Sequence, residues 1–235
     1  MFDPLVAAHF IDRPNRFIVL ARTGGEVVEV ACMDPGRMTE ILLPGVELRL
    51  APASRAGRRT RYTLVLARSG RRWVVLAPIL ANRLLEAALL AGTAPGWRHA
   101  EIERREVAVG SSRLDFALRW RKETWLVEVK SVALAVRGLG LFPDAPSARA
   151  VKHLGELARL ARQGARAGLV FVAQHPAIDR VAPNAELDPE FAAALRGAVR
   201  QGVRVTAVGC EVSPRGCRIA RRLPVARIGF KSFGA

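Results

Sequence analysis

At 235 residues, half of them hydrophobic, the chain holds enough apolar material for one large core or two ordinary ones, which excludes a disordered tail. Its formal net charge of +16 points to a polyanionic partner such as DNA or RNA. No apolar stretch reaches the ~20 residues that span a bilayer. The opening MFDPLVAAHFIDRPNRF has no basic segment followed by an apolar one, so a cytoplasmic protein with no membrane contact is expected.

Charge alone does not decide the partner, because excess arginine also solubilises a surface or follows from a GC-rich genome. Only four of the 37 basic residues are lysine: Lys122, Lys130, Lys152 and Lys231. A chain that writes nearly every cation as Arg draws attention to each Lys, since the two differ in acidity, shape and hydration. Cys32, Cys210 and Cys217 are odd in number and have no CxxC spacing, which argues against a disulfide scaffold or a structural zinc site.

Residues 16–77 read as five short strands: RFIVLAR, EVVEVAC, VELRLAP, TRYTLVLAR and RRWVVLA, divided by Gly- and Pro-containing turns. That spacing predicts a small OB-like β-barrel, with an unrelated five-stranded sandwich as the alternative. The pattern changes near Asn82, where NRLLEAALLAG reads as a helix closing on Gly92. EIERREVAVG, SRLDFALRW and TWLVEVKSV follow as strands, then a helix ending at Gly164 and the buried strand AGLVFVAQH. Asp188-Pro189 supplies an N-cap and a first-turn proline for a helix to about Gln201, and VRVTAVGCEV closes the series. This order predicts an α/β domain with a mixed sheet. Domains of 1–80 and 81–235 are expected.

In TWLVEVK, strand alternation puts Glu128 and Lys130 on one face. A four-residue loop, Arg121 to Thr124, would set Trp120 opposite Trp125, Asp115 opposite Lys130 and Ala117 opposite Glu128. A loop odd by one residue would turn Asp115 to the other face. Two carboxylates a few ångströms apart repel, and a hard cation such as Mg²⁺ or Mn²⁺ relieves that repulsion. Asp115, Glu128 and the backbone carbonyl of Val129 are the expected ligands, with Lys130 beside them to orient water or neutralise a phosphate. Glu86 interrupts the apolar pattern of its helix and is the next candidate for metal and catalysis. A solvated ion-pair face predicts the same letters.

These residues resemble the PD-(D/E)xK nuclease pattern, with Asp115 as first acid and Glu128-Val129-Lys130 as the second half. The whole chain resembles the sugar fermentation stimulation protein A family through PGRMTEILLPG (35–45), ANRLLEAAL (81–89), RREVAVGSSRLDF (104–116), VEVKSVAL (127–134) and LFPDAPSARAVKHLGEL (141–157). The resemblance implies an N-terminal OB-fold joined to a restriction-endonuclease-like domain, and sequence-nonspecific DNA binding. It also implies a nuclease activity, with Glu86 as the helix acid, and a link to sugar (maltose) metabolism. Where the family has His-x-Pro-Asn-Thr before Gly-Arg-Met, this chain has Ala31-Cys32-Met33-Asp34-Pro35.

Candidate phosphate contacts are Arg58, Arg59 and Arg61 on the barrel and Arg113 beside the first acid. Arg149, Lys152 and His153 join them from the helix that Ser147 caps. Gln174, at the end of a buried strand, is placed to hold a nucleotide or water, or to make a structural bond. Two functions compete: a Mg²⁺- or Mn²⁺-dependent phosphodiesterase on DNA or RNA, and a DNA-binding regulator that keeps the nuclease fold without turnover. A homo-oligomer is left open.

Overall fold

The structure is a computed structural model that describes residues 2, 4–53, 59–110 and 112–226. Arg58 lies outside the described residues. The chain first forms β1 (Val6–Asn15), β2 (Ile18–Thr23), β3 (Glu26–Ala31), β4 (Glu47–Pro52), β5 (Tyr62–Ser69) and β6 (Arg72–Val75). Their order is β3-β2-β1-β4-β5-β6, and β3 also pairs with β5, so five strands close into a barrel. Alternate residues point inward as strand geometry requires: Val19 and Ala21 from β2, Val28 and Val30 from β3, Leu48 and Leu50 from β4.

The barrel confirms the expected OB-like fold, but one of its five strands differs from expectation. The first barrel strand is β1, which precedes the residues 16–77 in which the five strands are expected, and RRWVVLA lies outside the closure. The ladder of β1 is broken by register shifts between Phe10 and Asp12 and between Asp12 and Asn15. Those irregularities, with Pro14 near its end, blur the alternation that marks a strand.

The second half comprises α1 (Leu80–Leu90), β7 (Glu101–Val109), β8 (Ser112–Trp120), β9 (Glu123–Val132), β10 (Ala135–Val136), β11 (Leu139–Phe142) and α2 (Ala148–Arg162). It continues with β12 (Arg166–Ala173), β13 (Arg180–Pro183), α3 (Pro189–Arg200), β14 (Arg204–Ser213) and β15 (Gly216–Leu223). A mixed six-stranded sheet runs β15-β14-β12-β9-β8-β7, with β9, β12 and β14 parallel. α1 packs on the face that carries Phe116, Val127 and Val129, while α2 and α3 cover the face of Leu169 and Phe171. Both predicted caps form: Ser147 accepts from the Ala150 N–H at 3.2 Å and Asp188 from the Phe191 N–H at 2.8 Å. Two features had no counterpart in the sequence reading, the polar edge strand β15 and the small sheet β10-β11-β13.

Candidate active site

The β8–β9 hairpin turns on two residues, Arg121 and Lys122, both at positive φ (51° and 66°), and not on the expected four. Trp120 therefore pairs with Glu123 and Phe116 with Val127. The register is displaced by two residues from expectation, and Ala117 faces Leu126 instead of Glu128. The ladder ends at the pair Phe116↔Val127, so Asp115 lies just beyond it, and the expected Asp115–Lys130 pairing does not form.

Asp115 sits where the pleat of β8 breaks. Leu114 packs in the cluster under α2, whereas Phe116, two residues on, packs in the cluster under α1. Across the β7–β8 ladder, between the pairs Arg105↔Phe116 and Val107↔Leu114, Glu106 has φ 52°. That conformation is costly for a residue with a side chain and recurs at functional sites. The rotation lets the Asp115 carboxylate turn toward β9. Its Oδ2 accepts from the Val129 N–H at 2.7 Å and its Oδ1 from Asn82 Nδ2 of α1 at 2.6 Å. In an antiparallel ladder the N–H and C=O of one residue face the same neighbour, so the Val129 carbonyl is directed to the same gap.

Glu128 is 3% exposed, and its Oε1 accepts from Lys130 Nζ at 2.6 Å and meets His153 Nδ1 at 2.5 Å. Its Oε2 is buried with no partner among the described residues. Burial and the neighbouring Glu128 charge push the Asp115 carboxyl up to about 6. Burial also pushes Glu128 upward, but the His153 hydrogen bond and the Lys130 ammonium outweigh it and hold that carboxyl below its usual range. One acid is thus kept ionised and the other is poised to take a proton, which is how a close carboxylate pair lowers its repulsion when no cation neutralises it.

Does this donor set fit a divalent cation? Among the described residues no group of three or more His, Cys, Asp or Glu side chains could hold a metal. Two carboxylates, one with a free buried oxygen, plus a backbone carbonyl nevertheless fit Mg²⁺ or Mn²⁺, which binds through one or two carboxylates and fills its remaining positions with water and phosphate. Glu86 does not join them. It pairs with Arg105 of β7 at 2.9 Å, and Asn82, one turn earlier on α1, occupies the place beside the first acid.

Val129, Lys130 and Ser131 open onto a cavity of about 310 Å³ between the barrel and the α/β half, together with Asp34, Asp144 and Arg149. Of the other candidates, Arg149 and Lys152 are exposed on the first turns of α2. His153 is buried behind Glu128, so it buttresses that acid and has no surface for a phosphate. Gln174 is fully buried, its Oε1 accepts from Ser131 Oγ, and its carbonyl accepts from the Val75 N–H at 3.2 Å. It joins the strand beside the site to the barrel and does not face the cavity. Arg59, Arg61 and Arg113 are exposed and pair with Glu29, Glu26 and Glu106 at 3.5, 3.4 and 3.9 Å. Asn82 was missed because an uncharged helix residue carries no signal until its partner is known; its i, i+4 spacing from Glu86 was the available clue.

Comparison with known proteins agrees with this architecture. Residues 11–76 match the family described as the SfsA N-terminal OB domain, and 79–216 match the sugar fermentation stimulation protein RE domain. A homologue from Moorella thermoacetica is 46% identical, over 89% of this chain and 91% of its own. One from Chloroflexus aurantiacus is 40% identical, over 99% and 88%. A solved structure described as Pyrococcus furiosus SfsA in complex with Ca²⁺ superposes with a TM-score of 0.87 at 31% identity, covering 95% of this chain and 96% of that one. The chain belongs to the sugar fermentation stimulation protein family.

Proposed function

We propose that this protein is a divalent-metal-dependent phosphodiesterase acting on nucleic acid, with Asp115, Glu128 and the Val129 carbonyl as metal ligands and Lys130 as the neighbouring cation. The observation that carries the reading is the buried Oε2 of Glu128, left without a partner near an Asp115 whose carboxyl is pushed up to about 6. Leaving an anionic oxygen buried and unpaired is costly, and a cation is the group whose arrival would remove that cost. The Ca²⁺ in the Pyrococcus furiosus relative supports a divalent ion in this fold. The net charge of +16 supports a polyanionic substrate.

When bound, a Mg²⁺ or Mn²⁺ ion supplies Lewis acidity at the scissile phosphate and activates water. The chain's own residues do the rest. Asn82 and the Val129 N–H fix both Asp115 oxygens, so the carboxylate meets a ligand in one orientation. His153 and Lys130 share Glu128 Oε1 and leave the buried Oε2 available to a ligand. Lys130 lines the cavity and its Nζ is held on Glu128, so its ammonium can neutralise a phosphate oxygen or give a proton to a leaving alkoxide.

The test is cleavage of single- and double-stranded DNA and RNA with Mg²⁺ or Mn²⁺. Wild type is expected to cut at least one substrate, and Asp115→Asn, Glu128→Gln and Lys130→Ala to lose on the order of 10²-fold or more in rate. Activity that persists in all three variants, or wild-type inactivity on every substrate, sinks the reading.

A further inference from the structure

The hairpin that presents Asp115 and Glu128 carries a different cluster at its turn. Arg121 and Lys122 adopt the left-handed pair of conformations that Asn-Gly would fill without strain. The strain places Arg121 over the Trp120 ring, 4.4 Å from its centroid. Arg204, at the start of β14, lies 4.8 Å from the same ring and 5.4 Å from that of Trp97. Trp120 Nε1 donates to the Arg98 carbonyl at 3.1 Å and draws the loop after α1 to this corner. Arg98, Trp120, Arg121, Arg204 and Arg222 of β15 line an open groove of about 590 Å³ with no carboxylate in its wall.

The lack of counter-charge is local. The neighbouring Arg119 and Arg166 are paired with Glu103 and Glu123 at 2.6 and 2.7 Å. Among the described residues none of Arg98, Arg121, Arg204 and Arg222 has a carboxylate within 4.0 Å. Arg204 Nε is buried without a hydrogen-bond partner among the described residues. Burial first, and then the charges of Arg222 and Arg121, lower the Arg204 pKa.

We propose that this groove is a second nucleic-acid site, in which Arg98, Arg121, Arg204 and Arg222 hold the phosphodiester backbone of a strand at the far end of β8 and β9 from the catalytic pair. Five steps along β8 separate Asp115 from Trp120, roughly 17 Å at strand rise. The Arg121 guanidinium, fixed over an indole, is preorganised for the paired oxygens of a phosphate, while Arg204, whose Nη2 donates to the Gly96 carbonyl at 3.3 Å, adds positive charge beside it. Trp120 is only 8% exposed and its faces are taken by arginines, so it has no surface for stacking a base. The site therefore reads backbone and not sequence. Four cations spread over separate elements match a repeating anion better than one phosphate. The inference rests on the proposal that nucleic acid is the partner, but not on turnover.

The experiment measures binding of a labelled 20-base-pair duplex to the full chain over a range of salt, without divalent metal. Arg121→Gln/Arg222→Gln is compared with Arg196→Gln/Arg200→Gln on α3, which removes the same charge elsewhere. The groove variant is expected to bind at least about tenfold more weakly at low salt. Its slope of log K against log salt should be shallower by about two, since each lost phosphate contact removes ~0.9. The α3 variant should change the slope by less than about half a unit. Equal losses in both variants, or no loss in the groove variant while wild type binds, overturn the groove assignment alone. Wild type that binds no duplex at any salt overturns the nucleic-acid reading and this site with it. Binding of tripolyphosphate but not duplex would make the groove a small-anion site and overturn the proposal.

Discussion

Asp34 and Asp144 meet over Gly36, at the junction of the barrel and the α/β half. A Cβ on Gly36 would lie 3.0 Å from Asp34 Oδ1 and would collide with Asp144 Oδ2, so a side chain there would displace the Asp144 carboxylate. Arg13, the nearby cation, is engaged with the backbone carbonyls of Asp34, Arg37 and Arg16 at 2.9, 2.8 and 2.9 Å. Burial and the Asp144 charge push Asp34 up to about 6. Because the folded pKa lies above the ordinary value, the protonated form stabilises the fold: that stability is complete below about pH 4 and is lost as pH rises through about 6. Asn, the family's residue here by resemblance, cannot ionise. Asp34→Asn is therefore expected to raise stability at pH 8 by about 1–3 kcal/mol and to change it little at pH 4. Urea midpoints at the two pH values check this, and equal shifts at both would refute a charge origin. Asp115 also rises to about 6, and at the proposed metal site a proton there would compete with the cation. Divalent-ion affinity, read by calorimetry, is expected to fall roughly tenfold per pH unit below about 6. Asn82→Ala removes a hydrogen bond that lowers the Asp115 pKa and should move that fall to higher pH.

At the scale of elements, the β8–β9 hairpin shows what the sequence could and could not reveal. Glu128 and Lys130 were legible because strand alternation depends only on neighbours along the chain. Asp115 was legible as a neighbour of this strand, but not its contacts: its carboxylate reaches Val129 N–H and Asn82 because the pleat of β8 breaks there. The turn was not legible, because Arg121-Lys122 lacks the Gly or Asn that marks a type I′ turn, and the expectation moved to a longer loop. β15 was missed for a related reason: GCRIARRL lies at a sheet edge and its polar face hides the period. His153 could be placed on α2, but its burial against Glu128 depends on how helix and sheet pack, which no local pattern encodes. The strained turn makes a prediction of its own. Arg121→Asn/Lys122→Gly should stabilise the protein by about 1–3 kcal/mol, from relief of the positive-φ strain. It should also weaken nucleic-acid binding, because the cation over Trp120 is gone. Stability and binding that rise together would separate the strain from any binding role.

At the scale of the molecule, the barrel and the α/β half behave as one packing problem. Leu64 and Val74 fill the barrel, while Val65, Trp73 and Val75 form a second cluster against Leu80, Val212 and Cys217. β5 and β6 are therefore apolar on both sides, which is why RRWVVLA reads as a core strand although it lies outside the closure. Hydrogen bonds cross the same seam, from Val75 N–H to the Gln174 carbonyl and from Phe2 N–H to the Arg215 carbonyl, both at 3.2 Å. Just beyond β9, Ala133 packs into the barrel cluster, so the strand that carries Glu128 and Lys130 is anchored at its end by the other half. A seam this apolar predicts a single cooperative unfolding of the wild type. Trp97, Trp120 and Trp125 form one aromatic cluster in the α/β half, so tryptophan emission reports mainly on that half, while far-ultraviolet dichroism reports on both. The two signals should coincide in the wild type. Val65→Asp places an unpaired charge in the seam, at a cost of several kcal/mol, without touching the inward face of β5. The two transitions should then separate, with the barrel and the α/β half melting at different urea concentrations. Coincident transitions in that variant would mean that cooperativity travels through the covalent link and the β9 anchor, and not through the apolar seam.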